Sequence, residues 1–160
     1  MGNTFGVGRE APQYDLTAHD GSRVSLRQYR GDWFAVVVFL GADPAAAAAE
    51  AAALSAVADQ LWGMRGQLIG LLHGDEAALQ AVAAKAEHAS FPLLADPDAA
   101  VARSYGLFDA ASRQVRLAAV IVDRSGKIAW SADGGPVGID VASTSVDPDA
   151  LVNAMRDVAR

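Results

Sequence analysis

One stretch, "DWFAVVVFLGADPAAAAAEAAAL" (residues 32–54), restricts the fold more than any other part of the chain. "DWFAVVVFLG" is a continuous apolar run of strand length, rich in valine and phenylalanine, with no polar side to offer water. Such a run predicts a central strand covered on both faces. Asp43-Pro44 then marks a helix start: Asp accepts hydrogen bonds from first-turn amides, and Pro suits a first helical position because no donor is lost there. Alanine, the best helix former, propagates the helix, and Leu54, Val57, Leu61 and Met64 give it an apolar stripe. The helix is expected to end near Gly63 or Gly66.

The flanking segments extend this strand–helix unit. "PQYDLTAHDGSRVSL" sets Tyr14 and Leu16 against Val24 and Leu26 around His19-Asp20-Gly21, predicting a β-hairpin with an Asp-Gly turn. A helical turn is expected over Leu26 to Tyr29. "QLIGLLH" is a second short buried strand, and "DEAALQAVAAKAEHA" a second helix with two acids at its positive end. Asp96-Pro97 repeats the cap-plus-proline device. "RLAAVIVDRSGKIAWSA" predicts strand, Ser125-Gly126 turn and strand, and Asp147-Pro148 starts a last helix. Strands alternating with helices and a closing hairpin imply an α/β fold, a mixed central sheet with helices on both faces. A single domain over 1–160 is expected, with a lead segment over 1–10 and a flexible loop over 133–146.

Composition excludes whole classes of chemistry. The 160 residues contain no cysteine, so disulfides, thiolate metal sites and cysteine redox cycles are absent. A net charge of −6 argues against nucleic acid and anionic membrane surfaces as partners. No run approaches the ~20 apolar residues of a membrane span, and the opening "MGNTFGVGRE" lacks the features of a secretion signal, so a cytoplasmic location is expected. His19, His73 and His88 have no paired spacing for a metal, and no motif asks for a cofactor.

Several local sequences resemble the peroxiredoxin family, the alkyl hydroperoxide reductase and thiol-specific antioxidant proteins of the thioredoxin fold. "APQYDL…DGSRVSLRQYRGDWFAVVVF" is similar to the family's opening, "FPLLADPDAAVARSYGLF" to its "FPLLsDpdgevakaYGvf", and "VIVDRSGKI" to its "fvIDrdGkI". The match runs from Ala11 to Ile128, and its flavour is that of the bacterial-type one-cysteine and bacterioferritin-comigratory-like groups. The resemblance implies the thioredoxin-like, peroxiredoxin-type fold with an N-terminal β-hairpin, and a homodimer. It also implies an active-site motif, P-x-x-x-T-x-x-C continued as T-x-E, whose cysteine lies in the first turn of a helix where amides and the helix dipole lower its pKa.

Aligned without gaps from Phe39 to Glu50, the family's proline falls on Leu40, its threonine on Pro44 and its cysteine on Ala47, while Glu50 is retained. The resolving position used in some members is Ala52. The distant arginine falls on Leu117, and Arg116, one place earlier, points to the opposite face if the strand register is kept. Four substituted catalytic positions imply natural loss of peroxidase chemistry, since an alanine exchange made to trap the enzyme would leave the other three alone. Methionine offers no replacement, because Met64 and Met155 stand at helical positions typical of core filling.

Two classes of function stay open. In the first, the chain is a binding or regulatory module for a small ligand or a protein. Its candidate pocket lies at the free amides of the helix start, lined by Asp43, Ala45, Ala46, Ala47, Glu50, His73 and Arg116. In the second, a non-redox enzyme reuses that cleft with an acid/base residue such as His73, which titrates near neutral pH. The plainer readings stand beside both: an alanine-rich amphipathic helix, and a solvated histidine at a strand end. Arg23, Arg27 and Arg30 read as a solvated face. Trp33, Trp62 and Trp130 are candidates for an interface or the core.

Overall fold

The computed structural model describes residues 8–29, 31–40, 44–72, 74–86, 91–96, 100–105, 108–109, 114–115, 118–133 and 148–159. Strands β1 (Asp15–Thr17) and β2 (Arg23–Ser25) form the antiparallel hairpin, with Leu16 opposite Val24. Asp20 Oδ1 accepts the amide and hydroxyl of Ser22 at 2.9 and 2.6 Å, and Gly21 takes the positive φ of 89° that the tight turn requires. A 3-10 turn follows over Leu26–Tyr29, as the sequence predicts.

Strand β3 (Phe34–Leu40) is buried at every position, the outcome its apolar run demands. It leads to helix α1 (Pro44–Gly63), strand β4 (Gly66–Leu72), helix α2 (Glu76–Ala86), strand β5 (Leu93–Ala95) and the short helix α3 (Ala100–Ser104). A two-residue ladder joins β6 (Phe108–Asp109) to β7 (Gln114–Val115). The chain then forms β8 (Ala118–Val122), β9 (Ile128–Asp133) and helix α4 (Pro148–Val158).

The central sheet has the order β5-β4-β3-β8-β9. β4 runs parallel to both β3 and β5, while β8 is antiparallel to both β3 and β9. Side-chain alternation along β3 sorts the core into two halves. Phe34, Val36, Val38 and Leu40 join the cluster that also holds residues of α1, α2 and α4. Ala35, Val37 and Phe39 join a second cluster with the hairpin, the 3-10 turn and Val101 and Ala102 of α3. Helices therefore cover both faces, three long ones on the first and one short one on the second.

The structure adjusts the expected chain ends. Residues 8–10 of the lead segment are tied down: Gly8 N–H donates to the Ile128 carbonyl at 2.8 Å, Ile128 N–H donates to Arg9 at 2.9 Å, and Glu10 bridges Lys127. Asp133, placed in the loop by composition, is the last residue of β9, opposite Ala118. The rest of the expected loop, 134–146, lies outside the described residues. Among the described residues no helix is long and apolar enough to cross a membrane.

Candidate functional site

The register Leu40↔Leu72 brings the ends of β3 and β4 to the same edge of the sheet, and α1 begins just beyond Leu40. Backbone topology thus gathers a helix start and two strand ends in one place, the common location of ligand sites in α/β folds. Of the sequence-predicted site residues, Leu40, Ala47 and Glu50 are described in full, whereas for Pro44, Ala45 and Ala46 only the helical backbone is. Asp43, His73, Arg116 and Leu117 lie outside the described residues, as does His88.

Ala47 is fully buried and shares one apolar cluster with Leu40, Leu72, Leu79 and Leu93. Along α1 the buried positions Ala47, Ala51, Leu54, Ala58 and Leu61 recur at helical spacing, so the helix lies on the sheet through small side chains over its first half and large ones over its second. Leu40 is buried against Gly70 of β4: a Cβ there would stand 2.8 Å from Leu93 Cδ2, 3.3 Å from Phe91 Cε2 and 3.4 Å from Leu40 Cδ1. Gly70 is the close approach that lets three large side chains fill the space below the helix start.

Glu50, one helical turn beyond Ala47, is only 9% exposed, and its Oε2 is sealed from solvent. A polar group is thus held close to the start of α1, at the position where the resemblance expects the motif's glutamate. Asp96, also buried, accepts the amides of Val101 and Ala102 at 3.1 and 3.0 Å. The cap on α3 therefore reaches further into the helix than the adjacent Asp-Pro pair suggests. Among the described residues no group of three or more His, Cys, Asp or Glu side chains could hold a metal ion.

A cavity of about 610 Å³ lies elsewhere, lined by Phe34, Asp123, Arg124, Trp130 and Asp157 among others. Phe34 starts β3 and Leu40 ends it, so this cavity is about 20 Å from the helix start. Arg124 covers the Phe34 ring there, its guanidinium carbon 5.0 Å from the ring centre. Sequence reasoning did not single out this cavity, because Phe34, the β8–β9 turn and the end of α4 meet only in the folded chain.

A five-stranded mixed sheet of this order, with a hairpin in front and a strand–helix start at its edge, defines a thioredoxin-like protein of the peroxiredoxin type. The chain belongs to the AhpC/TSA family, whose profile matches residues 7–131, and it lacks the peroxidatic cysteine. Solved structures with the same fold include Enterococcus faecalis AhpC, at a TM-score of 0.79 and 20% identity over 98% of this chain and 92% of that one. Peroxidoxin BcpB from Mycobacterium tuberculosis follows at 0.76 and 14% over 96% and 97%, and Mycobacterium tuberculosis AhpC at 0.77 and 18% over 96% and 93%. No curated protein matches the chain in sequence.

Proposed function

We propose that this protein is a cytoplasmic binding or regulatory module on a peroxiredoxin scaffold, without thiol peroxidase activity. One observation supports the reading: the chain has no cysteine, and Ala47, on which the family's nucleophile falls in the ungapped alignment, is fully buried in an apolar cluster. The thiol route begins with attack of a thiolate sulfur on the peroxide O–O bond, giving a sulfenic acid and releasing the alcohol or water. A chain with no cysteine has no atom for that step.

The small-ligand form of the reading places an anion at the amides of the α1 start, with Asp43, Ala45, Ala46, Glu50, His73 and Arg116 around it. Ala47, fully buried, would lie beneath such a pocket and not in its wall. The test has two arms. With hydrogen peroxide or cumene hydroperoxide and excess dithiothreitol, peroxide consumption should equal that of buffer; turnover above buffer overturns the first half of the proposal. Calorimetry with phosphate and acetate should show saturable binding that His73→Ala weakens, and its absence would leave a protein as the partner. A dimer, which the family resemblance supports, should appear by light scattering at working concentrations.

A further inference from the structure

Trp62 is the single large apolar side chain that stands exposed among the described residues, at 55% of its surface. It projects from the last turn of α1 and is held by Trp33, with ring centres 4.4 Å apart and planes inclined by 43°. Trp33 precedes β3 and Trp62 nearly ends α1, so the contact fixes the indole in place before any partner arrives. Beside it is a notch of about 160 Å³, whose described lining is Ala58, Asp59, Trp62, Gly66, Gln67 and Leu68. That volume is below the ~300 Å³ at which ordinary small-molecule pockets begin, and it suits one side-chain head group.

The chemistry of the notch has one sign. Asp59 stands three residues before Trp62 on the same helix, which puts the carboxylate and the indole on neighbouring positions of one face. Asp59 makes no ion pair or hydrogen bond among the described residues. Gln67 turns its Nε2 onto the Leu68 carbonyl at 2.9 Å, which leaves its Oε1 as a further acceptor. An aromatic face, a carboxylate and an amide oxygen around a small space match a planar cation that stacks and donates several hydrogen bonds at once. Guanidinium has that form, and ammonium does not.

We propose that this notch receives an arginine side chain of a partner protein, its guanidinium stacked on Trp62 and paired with Asp59. The overall charge of −6 favours the approach of such a partner. The site is independent of the one at the α1 start, and its success or failure leaves that reading untouched.

The probe is a blocked hexapeptide of alternating glycine and arginine, titrated by calorimetry and tryptophan fluorescence beside the same peptide with citrulline or lysine. Saturable binding of the arginine peptide is expected, several-fold tighter than the lysine peptide, with none for citrulline. Asp59→Asn and Trp62→Ala should each weaken it by roughly fivefold or more, whereas Glu76→Gln, an exposed acid at the start of α2, should change it less than about twofold. Asp59→Asn and Glu76→Gln should leave the far-ultraviolet circular dichroism unchanged, since the altered side chains are exposed, and Trp62→Ala should lose only the band of the Trp33–Trp62 pair while keeping cooperative thermal unfolding.

Equal binding of arginine and citrulline peptides, equal loss in Asp59→Asn and Glu76→Gln, or no saturable binding would each overturn the proposal. Lysine binding as tight as arginine would overturn the guanidinium assignment. A dimer that Trp62→Ala converts to a monomer would assign the face to a second copy of the chain, which also overturns it.

Discussion

His19 and Leu93 hold each other twice: His19 N–H donates to the Leu93 carbonyl at 2.8 Å, and Leu93 N–H donates to His19 Nδ1 at 3.2 Å. A turn residue of the N-terminal hairpin is thereby fastened to the edge strand of the central sheet, and Gln80 of α2 adds a third bond to the His19 carbonyl at 3.0 Å. Leu93 is fully buried, so removing the imidazole strands its amide. His19→Ala is expected to cost about 1–3 kcal/mol, measured by urea unfolding. A loss too small to measure would show that the backbone bond alone holds the turn.

Near the start of α1, Ala47→Leu should overpack the contact between the helix and the sheet and cost about 1–3 kcal/mol, because the alanine methyl is fully buried in the core cluster. Ala47→Cys adds one sulfur atom at the same packed position and should cost less than Ala47→Leu, about 1 kcal/mol. It should nonetheless show only marginal peroxide turnover, since the resemblance puts the family's proline and threonine where this chain has Leu40 and Pro44. Turnover approaching that of a working peroxiredoxin would mean that the scaffold has kept more of its old geometry than its side chains suggest.

The three tyrosines separate into paired and unpaired hydroxyls. Tyr105 donates to the Pro12 carbonyl at 2.9 Å, and Tyr105→Phe should cost about 1 kcal/mol. Tyr14 has a buried hydroxyl with no hydrogen-bond partner among the described residues. Burial first, then the nearby Tyr105 and Tyr29, push its pKa well up, so no phenolate forms in the native pH range. Tyr14→Phe is therefore expected to be neutral or stabilising by thermal melting, and a clear drop would reveal a hydrogen bond supplied by a water molecule.

Arg65 closes the turn between α1 and β4 at a φ of 63°, a left-handed conformation that costs an L residue about 1 kcal/mol. Arg65→Gly should relieve that strain, and once the roughly 0.4–1 kcal/mol of extra glycine freedom in the unfolded chain is subtracted, the net gain is about 0.5 kcal/mol or less. Denaturant midpoints of the two proteins check the sign.

The β8–β9 turn supplies an acid-sensitive element. Burial alone would raise the Asp123 pKa, but hydrogen bonds from the Ser125 side chain and from the Lys127, Ser125 and Gly126 backbone outweigh it and lower the value. A depressed pKa means that the charged form favours the folded state. The contribution is complete above the ordinary carboxylate range and disappears as pH falls through the lower, folded value. Following the Ser125 amide by NMR should give a midpoint below that of an exposed aspartate, and Asp123→Ala should remove the transition.

Local chemistry made much of this fold legible. Asp20-Gly21, the apolar run from Phe34 to Leu40, Gly63 at the end of α1 and the Asp123–Gly126 turn each specify their conformation within a few residues. The β6–β7 ladder escaped, because two residues per strand carry no periodicity. Alanine along most of α1 also blurred which of its faces is buried, so the inward position of Ala47 became visible only in the fold. The His19–Leu93 clasp and the Trp33–Trp62 stack join positions far apart in the chain, and no single-sequence pattern announces them.

The stack between Trp33 and Trp62 also gives the protein an optical handle. Indoles at a 4.4 Å separation share their electronic transitions, and a tilted pair produces a two-signed band in circular dichroism. That band reports on the joint between α1 and β3 without any added dye. The protein thus carries its own gauge, and the spectrum can register occupancy of the adjoining notch as candidate peptides are added.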